Sequence, residues 1–96
     1  MNPDDKSKIQ SFLNDLEGLK SRTATESKYK DWKEKVEKKL EEVFGKGSDQ
    51  LNRFQRVKPY NFTRPGKPKD APLTEEEFRE LVGRLDEAKR MLQRFI

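Results

Sequence analysis

The stretch Trp32–Phe62 reads WKEKVEKKLEEVFGKGSDQLNRFQRVKPYNF, and it decides the fold. Its first part places apolar residues three or four positions apart among charged ones, which predicts a long amphipathic helix. The segment 45–48, Gly-Lys-Gly-Ser, then indicates a turn between helices. A shorter helical pattern follows and ends at Lys58-Pro59, because the residue before a proline is displaced from helical geometry. The stretch ends in a strand or loop that carries aromatic and basic residues.

Outward from this stretch, the same periodicity predicts an all-α fold with three long helices and one short helix. Polar residues with capping side chains precede each helical pattern: Asn2, then Thr25 or Ser27, then Ser48, and finally Thr74, which forms a capping box with Glu77. We expect Gly45 to end the second helix in the left-handed conformation. The predicted helices are Pro3–Ser21, Glu26–Phe44, Asp49–Val57 and one from Thr74 to the last residue, Ile96.

A long irregular connection is predicted between the third and fourth helices. The segment Lys58–Pro72 contains four of the five prolines and is rich in lysine and arginine. We expect Tyr60 and Phe62 to anchor its first half and Arg64–Asp70 to be mobile, because proline, glycine and lysine leave little to bury there.

The apolar stripes predict one core in a single domain, residues 1–96. Ninety-six residues are the length of one domain. The stripe of the fourth helix continues without fading to Phe95 and Ile96. We expect it to belong to the core first, and the alternative is that its end, Met91–Ile96, contacts a partner or a further domain. We expect these five residues to be buried together: Trp32, Phe44, Phe54, Leu81 and Leu85.

Composition excludes most kinds of catalysis. The chain has no cysteine and no histidine, so thiolate chemistry and serine–histidine pairs are impossible within it. The carboxylates lie at helix starts and on mixed-charge faces rather than in apolar settings, which argues against acid–base catalysis and metal binding. We therefore expect no enzyme activity, no catalytic or metal site and no cofactor. No signal sequence or membrane-spanning run is apparent, and a cytoplasmic protein is the default expectation.

The positive charge of the chain is concentrated in one stretch. Residues 50–69 contain six basic residues and no acidic one, whereas the whole chain has a net charge of +4. Phe54, Tyr60 and Phe62 are interleaved with these charges, and such a pattern can bind phosphates and stack bases. A solvated loop with aromatic core residues, or a surface for an acidic protein, explains the same pattern. With the end of the fourth helix, the candidate binding residues are Arg53, Arg56, Lys58, Tyr60, Arg64, Lys67, Lys69, Phe95 and Ile96.

The order of the apolar anchors carries a resemblance that covers roughly Phe12 to Ile96. The residues that carry it are Trp32, Val36, Leu40, Val43-Phe44-Gly45, Ser48, Phe54, Val57, Tyr60, Phe78, Leu85, Ala88, Met91-Leu92 and Ile96. In this order the chain resembles a helical N-terminal region of prokaryotic defence-type or uncharacterised proteins. That region precedes a variable effector domain, which is Toll/interleukin-1-receptor-like or a predicted nucleotide-binding domain. One departure is that Gly83 lies one place earlier than the glycine expected before Leu85.

The resemblance implies a sensor or scaffold region rather than an enzyme. Together with the residue pattern, it leads us to expect a non-enzymatic interaction or adaptor module. Its partner would be another protein or a C-terminal domain, and its oligomeric state is left open. The alternative is a small nucleic-acid-binding protein that uses the basic stretch 53–69.

Overall fold

The computed structural model describes residues 2–62, 66 and 71–96. Over these residues the chain forms four α-helices and no strand, which confirms the all-α prediction. The helices are α1 (Pro3–Leu19), α2 (Glu26–Phe44), α3 (Asp49–Arg56) and α4 (Glu75–Arg94). None of them combines the length and apolar character that crossing a membrane requires, as far as the described residues go.

The predicted capping residues start the helices. The Asn2 side chain accepts a hydrogen bond from the backbone of Asp5 at 2.8 Å, and Ser48 accepts one from Leu51 at 3.2 Å. Thr25, rather than Ser27, caps α2. Thr74 and Glu77 form the reciprocal capping box in front of α4. Each cap satisfies amide groups that have no partner inside the helix.

The helix ends differ slightly from the predicted ones. The predicted α1 extended to Ser21, but the helix ends at Leu19, since Lys20 has a non-helical ψ of 74°. The Ser21 hydroxyl instead accepts a hydrogen bond from the backbone of Thr23 at 3.1 Å. Such local bonds of serine offer the backbone an alternative to the helix. Gly45 has the expected positive φ of 100°, but its ψ of 154° is extended rather than left-handed helical.

One cluster of buried side chains lies where the helices pack. α1 contacts α2 and α4, and α3 contacts α2 and α4. Trp32 is buried, and its indole N–H donates to the carbonyl of Phe12 at 2.9 Å. Its ring also meets Phe54 edge-on at 6.1 Å. The core residues are Ile9, Phe12, Leu13, Leu16, Leu19, Tyr29, Trp32, Val36, Leu40, Leu51, Phe54, Val57, Tyr60, Leu73, Leu81, Leu85, Ala88 and Leu92.

Two sequence predictions about apolar residues have different outcomes. Phe44 was expected inside the core, but it is only partly buried and packs against the outside of it. Tyr60 and Phe62 anchor the chain after α3 as predicted, because Tyr60 is buried and Phe62 packs between Tyr60 and Tyr29. The mobility predicted for Arg64–Asp70 concerns a segment that, apart from Gly66, lies outside the described residues.

Candidate interaction surfaces

The segment that begins with α3 buries every third residue. Leu51, Phe54, Val57 and Tyr60 point into the core, and the positions between them are exposed. This period continues past the end of α3, since Tyr60 is also buried in the core. We define the basic face as the exposed polar side chains of this segment: Asn52, Arg53, Gln55, Arg56, Lys58 and Asn61.

The basic face has a net positive charge. The guanidinium of Arg53 pairs with Asp49 at 3.0 Å, and both side chains are mostly exposed. Arg56 and Lys58 are exposed, and neither forms an ion pair with any residue that the structure describes. No acidic residue follows Asp49 within residues 50–69. The face therefore presents two unneutralised cations to solvent, with Arg53 partly neutralised beside them.

Two of the aromatic residues of this segment, Phe54 and Tyr60, are buried and therefore not available for stacking. Tyr60 was expected to contribute to the binding surface, but it is only 6% exposed. Its ring meets Phe62 edge-on at 4.7 Å, and Phe54 is buried against Trp32. The expectation for Tyr60 is wrong because the three-residue period places position 60 on the core side.

The side chain of Tyr29, in α2, is a further contact of this segment. Burial raises the pKa of Tyr29, and a backbone hydrogen bond with Tyr60 and the charge of Arg84 act in the opposite direction. The backbone at Tyr60 is thus bonded to α2 as well as anchored by its own ring. The remaining predicted residues of the basic stretch, Arg64, Lys67 and Lys69, lie outside the described residues.

A second surface lies where α2 and α4 end. The rings of Phe44 and Phe95 meet edge-on with centroids 5.8 Å apart. Met91 and Ile96 lie beside the core as well, and all four side chains remain partly exposed. We call Phe44, Met91, Phe95 and Ile96 the apolar end. Phe95 and Ile96 were expected to lack a partner within the chain, and this is wrong because both pack against the core and Phe44 meets the ring of Phe95.

A shallow groove between α1 and α2 has neither the net positive charge of the basic face nor the exposed apolar side chains of the apolar end. It has a volume of about 340 Å³ and is open to solvent. Its carboxylates and ammonium groups balance in number, and the tryptophan in its wall is nearly buried. Its lining consists of Asp15, Leu19, Lys28, Asp31, Trp32 and Lys35. Among the described residues, no group of three or more acidic side chains is placed to hold a metal ion.

Sequence reasoning missed part of both surfaces. Asn52, Gln55 and Asn61 were not among the predicted residues, although the period of Leu51, Phe54 and Val57 places them on the outside. Phe44 was expected to belong to a buried stripe, because no local signal distinguishes a helix end that is fully covered from one that is partly open.

Comparison with known proteins found no relative of this chain. No protein-family model, no curated protein and no solved structure matches the chain.

Proposed function

We propose that this chain is a non-enzymatic adaptor module that binds a protein partner through the apolar end. The observation that carries the proposal is the aromatic pair Phe44–Phe95, whose rings meet at 5.8 Å at the surface rather than inside the core. Met91 and Ile96, on or next to the same helix end, are also partly exposed. Aromatic residues and methionine are enriched at protein interfaces, and contiguous apolar surface is typical of such sites.

The arrangement suits a preformed docking site. Phe44 is the last residue of α2, and Phe95 follows the last turn of α4, where its N–H donates to the carbonyl of Leu92 at 3.0 Å. Both rings are therefore positioned by helices that are anchored in the core. Binding of a partner to the two rings would therefore cost this chain little conformational entropy.

The resemblance described above supports a more specific role. A helical region in front of an effector domain would act as a sensor or scaffold of a prokaryotic defence-type protein. The apolar end would then contact either an effector domain or a separate partner protein, and both contacts would have the same apolar chemistry.

The test is affinity purification followed by calorimetry. Proteins retained by the immobilised chain are compared for the wild type, for Phe95→Ser/Ile96→Ser and for Arg56→Glu/Lys58→Glu. A true partner is lost with the first variant and kept with the second. After purification it should bind with a negative heat-capacity change, which marks burial of apolar surface.

The fold of the variants needs its own control. Because Phe95 and Ile96 pack against the core, the serine variant must keep the helical circular dichroism of the wild type. Met91→Gln is a milder variant, since it changes one partly exposed side chain and keeps its length. Partners that bind the wild type and all three variants equally would contradict the proposal.

A further inference from the structure

The α2–α3 unit presents a short helix on an ordered turn. Residues 45–48 connect the two helices, and Gly45 and Gly47 have φ of 100° and 77°, which other residues rarely adopt. Asn52 donates a long hydrogen bond, 3.4 Å, from its side chain to the carbonyl of Gly47. Two helices joined by a glycine-containing turn of three or four residues are a common unit for placing the second helix in the major groove of DNA.

The exposed side of α3 carries the donor groups that nucleic acids accept. Asn52, Arg53, Gln55 and Arg56 are its outward residues after the first turn. Arginine pairs with guanine edges, and asparagine and glutamine pair with adenine edges in the major groove. The one carboxylate of α3, Asp49, lies at its start and is paired with Arg53.

Lysines lie at both ends of this helix. Lys46 is exposed in the turn before α3, and Lys58 is exposed after its end. α3 has eight residues and is therefore about 12 Å long. A helix of about 10–12 Å diameter enters a major groove of about 12 Å width. Cations beyond both ends of a helix in the groove would face the phosphates that border it.

We propose that α3 binds duplex nucleic acid, with its outward side in the major groove and Lys46 and Lys58 on the phosphates. Positive charge and amide chemistry select an anionic partner that offers both acceptors and donors. The burial of Phe54 and Tyr60 argues against single strands, whose binding depends on bases stacked on exposed rings. The side chains used here differ from those of the apolar end, so each proposal has its own test.

Fluorescence anisotropy with a labelled 20-base-pair duplex tests the proposal. At low salt we expect binding of the duplex that is at least fivefold tighter than binding of either single strand. Phosphate contacts from Lys46 and Lys58 predict a slope of about −2 for log K against log salt. No binding at low salt, or equal binding of single strands, would overturn the proposal.

Near-isosteric variants locate the surface. Gln55→Glu adds one negative charge to the middle of the α3 face and should weaken duplex binding about fivefold or more. Gln10→Glu makes the same change on an exposed position of α1 and should leave binding unchanged. Equal loss in both variants would refute the assignment to α3.

A second pair of variants distinguishes binding at α3 from general electrostatic attraction between the duplex and the positively charged protein. Arg56→Glu/Lys58→Glu should abolish binding, whereas Lys28→Glu/Lys38→Glu, an equal charge change on exposed residues of α2, should reduce it less than threefold. Labelled poly-glutamate of matched charge is titrated in parallel. If it binds α3 as tightly as the duplex does, the surface recognises acidic protein instead, and the proposal is wrong.

Discussion

Arg22 and Leu73 hold each other through two hydrogen bonds, although they are 51 residues apart. The N–H of Leu73 donates to the carbonyl of Arg22 at 2.7 Å, and the Arg22 Nε–H donates to the carbonyl of Leu73 at 2.8 Å. Leu73 is 1% exposed and directly precedes Thr74, which caps α4. The turn between α1 and α2 therefore contacts the residue that precedes the cap of α4.

Loss of this side-chain bond should destabilise the fold. Arg22→Ala leaves a partly buried carbonyl without its charged donor and should lower the free energy of unfolding by about 1–2 kcal/mol. Arg79→Ala is the matched control, because its pair with Glu75 is about three-quarters exposed and should contribute less than about 0.5 kcal/mol. Urea denaturation measures both values. Equal effects would show that the bond to Leu73 adds nothing.

Trp32 anchors α2 on α1 by shape and by one hydrogen bond. Trp32→Phe keeps an aromatic ring but removes the N–H that donates to Phe12 at 2.9 Å, and it should cost about 2 kcal/mol. Trp32→Ala should cost about 3–5 kcal/mol, because it also leaves a cavity. Thermal unfolding monitored by circular dichroism provides the comparison. A phenylalanine variant as stable as the wild type would mean that the hydrogen bond makes no net contribution.

Glycine-to-alanine changes should act in opposite directions at different places. Gly83 lies within α4 and Gly18 within the last turn of α1, and an added methyl group would meet no atom within 4 Å at either site. Alanine there should stabilise the protein by about 0.5–1 kcal/mol. Gly45 offers the same space, but its φ of 100° disfavours a side chain. Gly45→Ala should therefore destabilise by about 1–2 kcal/mol. Chemical denaturation of all three variants is the test, and a stabilising Gly45→Ala would contradict the turn geometry.

The ion pair of Lys20 should make the free energy of unfolding depend on pH in the alkaline range. Its ammonium bonds to Asp86 at 2.6 Å, which raises the pKa of Lys20 against the opposing effect of burial. A raised lysine pKa contributes stability below its unfolded value of about 10.4, and the contribution disappears as the pH rises through the folded value. Asp86→Asn should reduce this dependence, with Glu17 still beside the ammonium, and cost at most about 1 kcal/mol at neutral pH. Unfolding curves between pH 7 and about 11 should converge for the two proteins.

Glu17 produces the opposite dependence on the acidic side. Its hydrogen bond from Lys89, at 3.0 Å, is the main cause of the lowered pKa of Glu17. The contribution is present above the unfolded value of about 4.3 and is lost as the pH falls through the folded value. Lys89→Met should flatten the stability curve between about pH 5 and 3. Glu76→Gln is the control, because Glu76 is exposed and lies far from Lys89 in sequence. An equal change in both variants would exclude the Lys89 contact as the cause.

Local signals in the sequence determined the helices and their starts. Asn2, Ser48 and Thr74 cap as predicted because a capping side chain bonds to amides two or three residues away, all within a short segment. The bounds of α2 agree with the spacing of its apolar residues for the same reason. The three-residue period of Leu51, Phe54 and Val57 likewise specified which side of α3 faces outward.

Only the tertiary structure decided which apolar residues stay at the surface and which distant groups meet. Phe44 and Leu40 belong to the same stripe of α2, but Leu40 is fully buried and Phe44 is not, because the neighbouring helices cover only part of the end of α2. The bond between Arg22 and Leu73 and the pair between Lys20 and Asp86 join residues 51 and 66 positions apart. Periodicity assigns a residue to a face of its own helix, whereas the cover over that face and the partner across it depend on how the helices pack together.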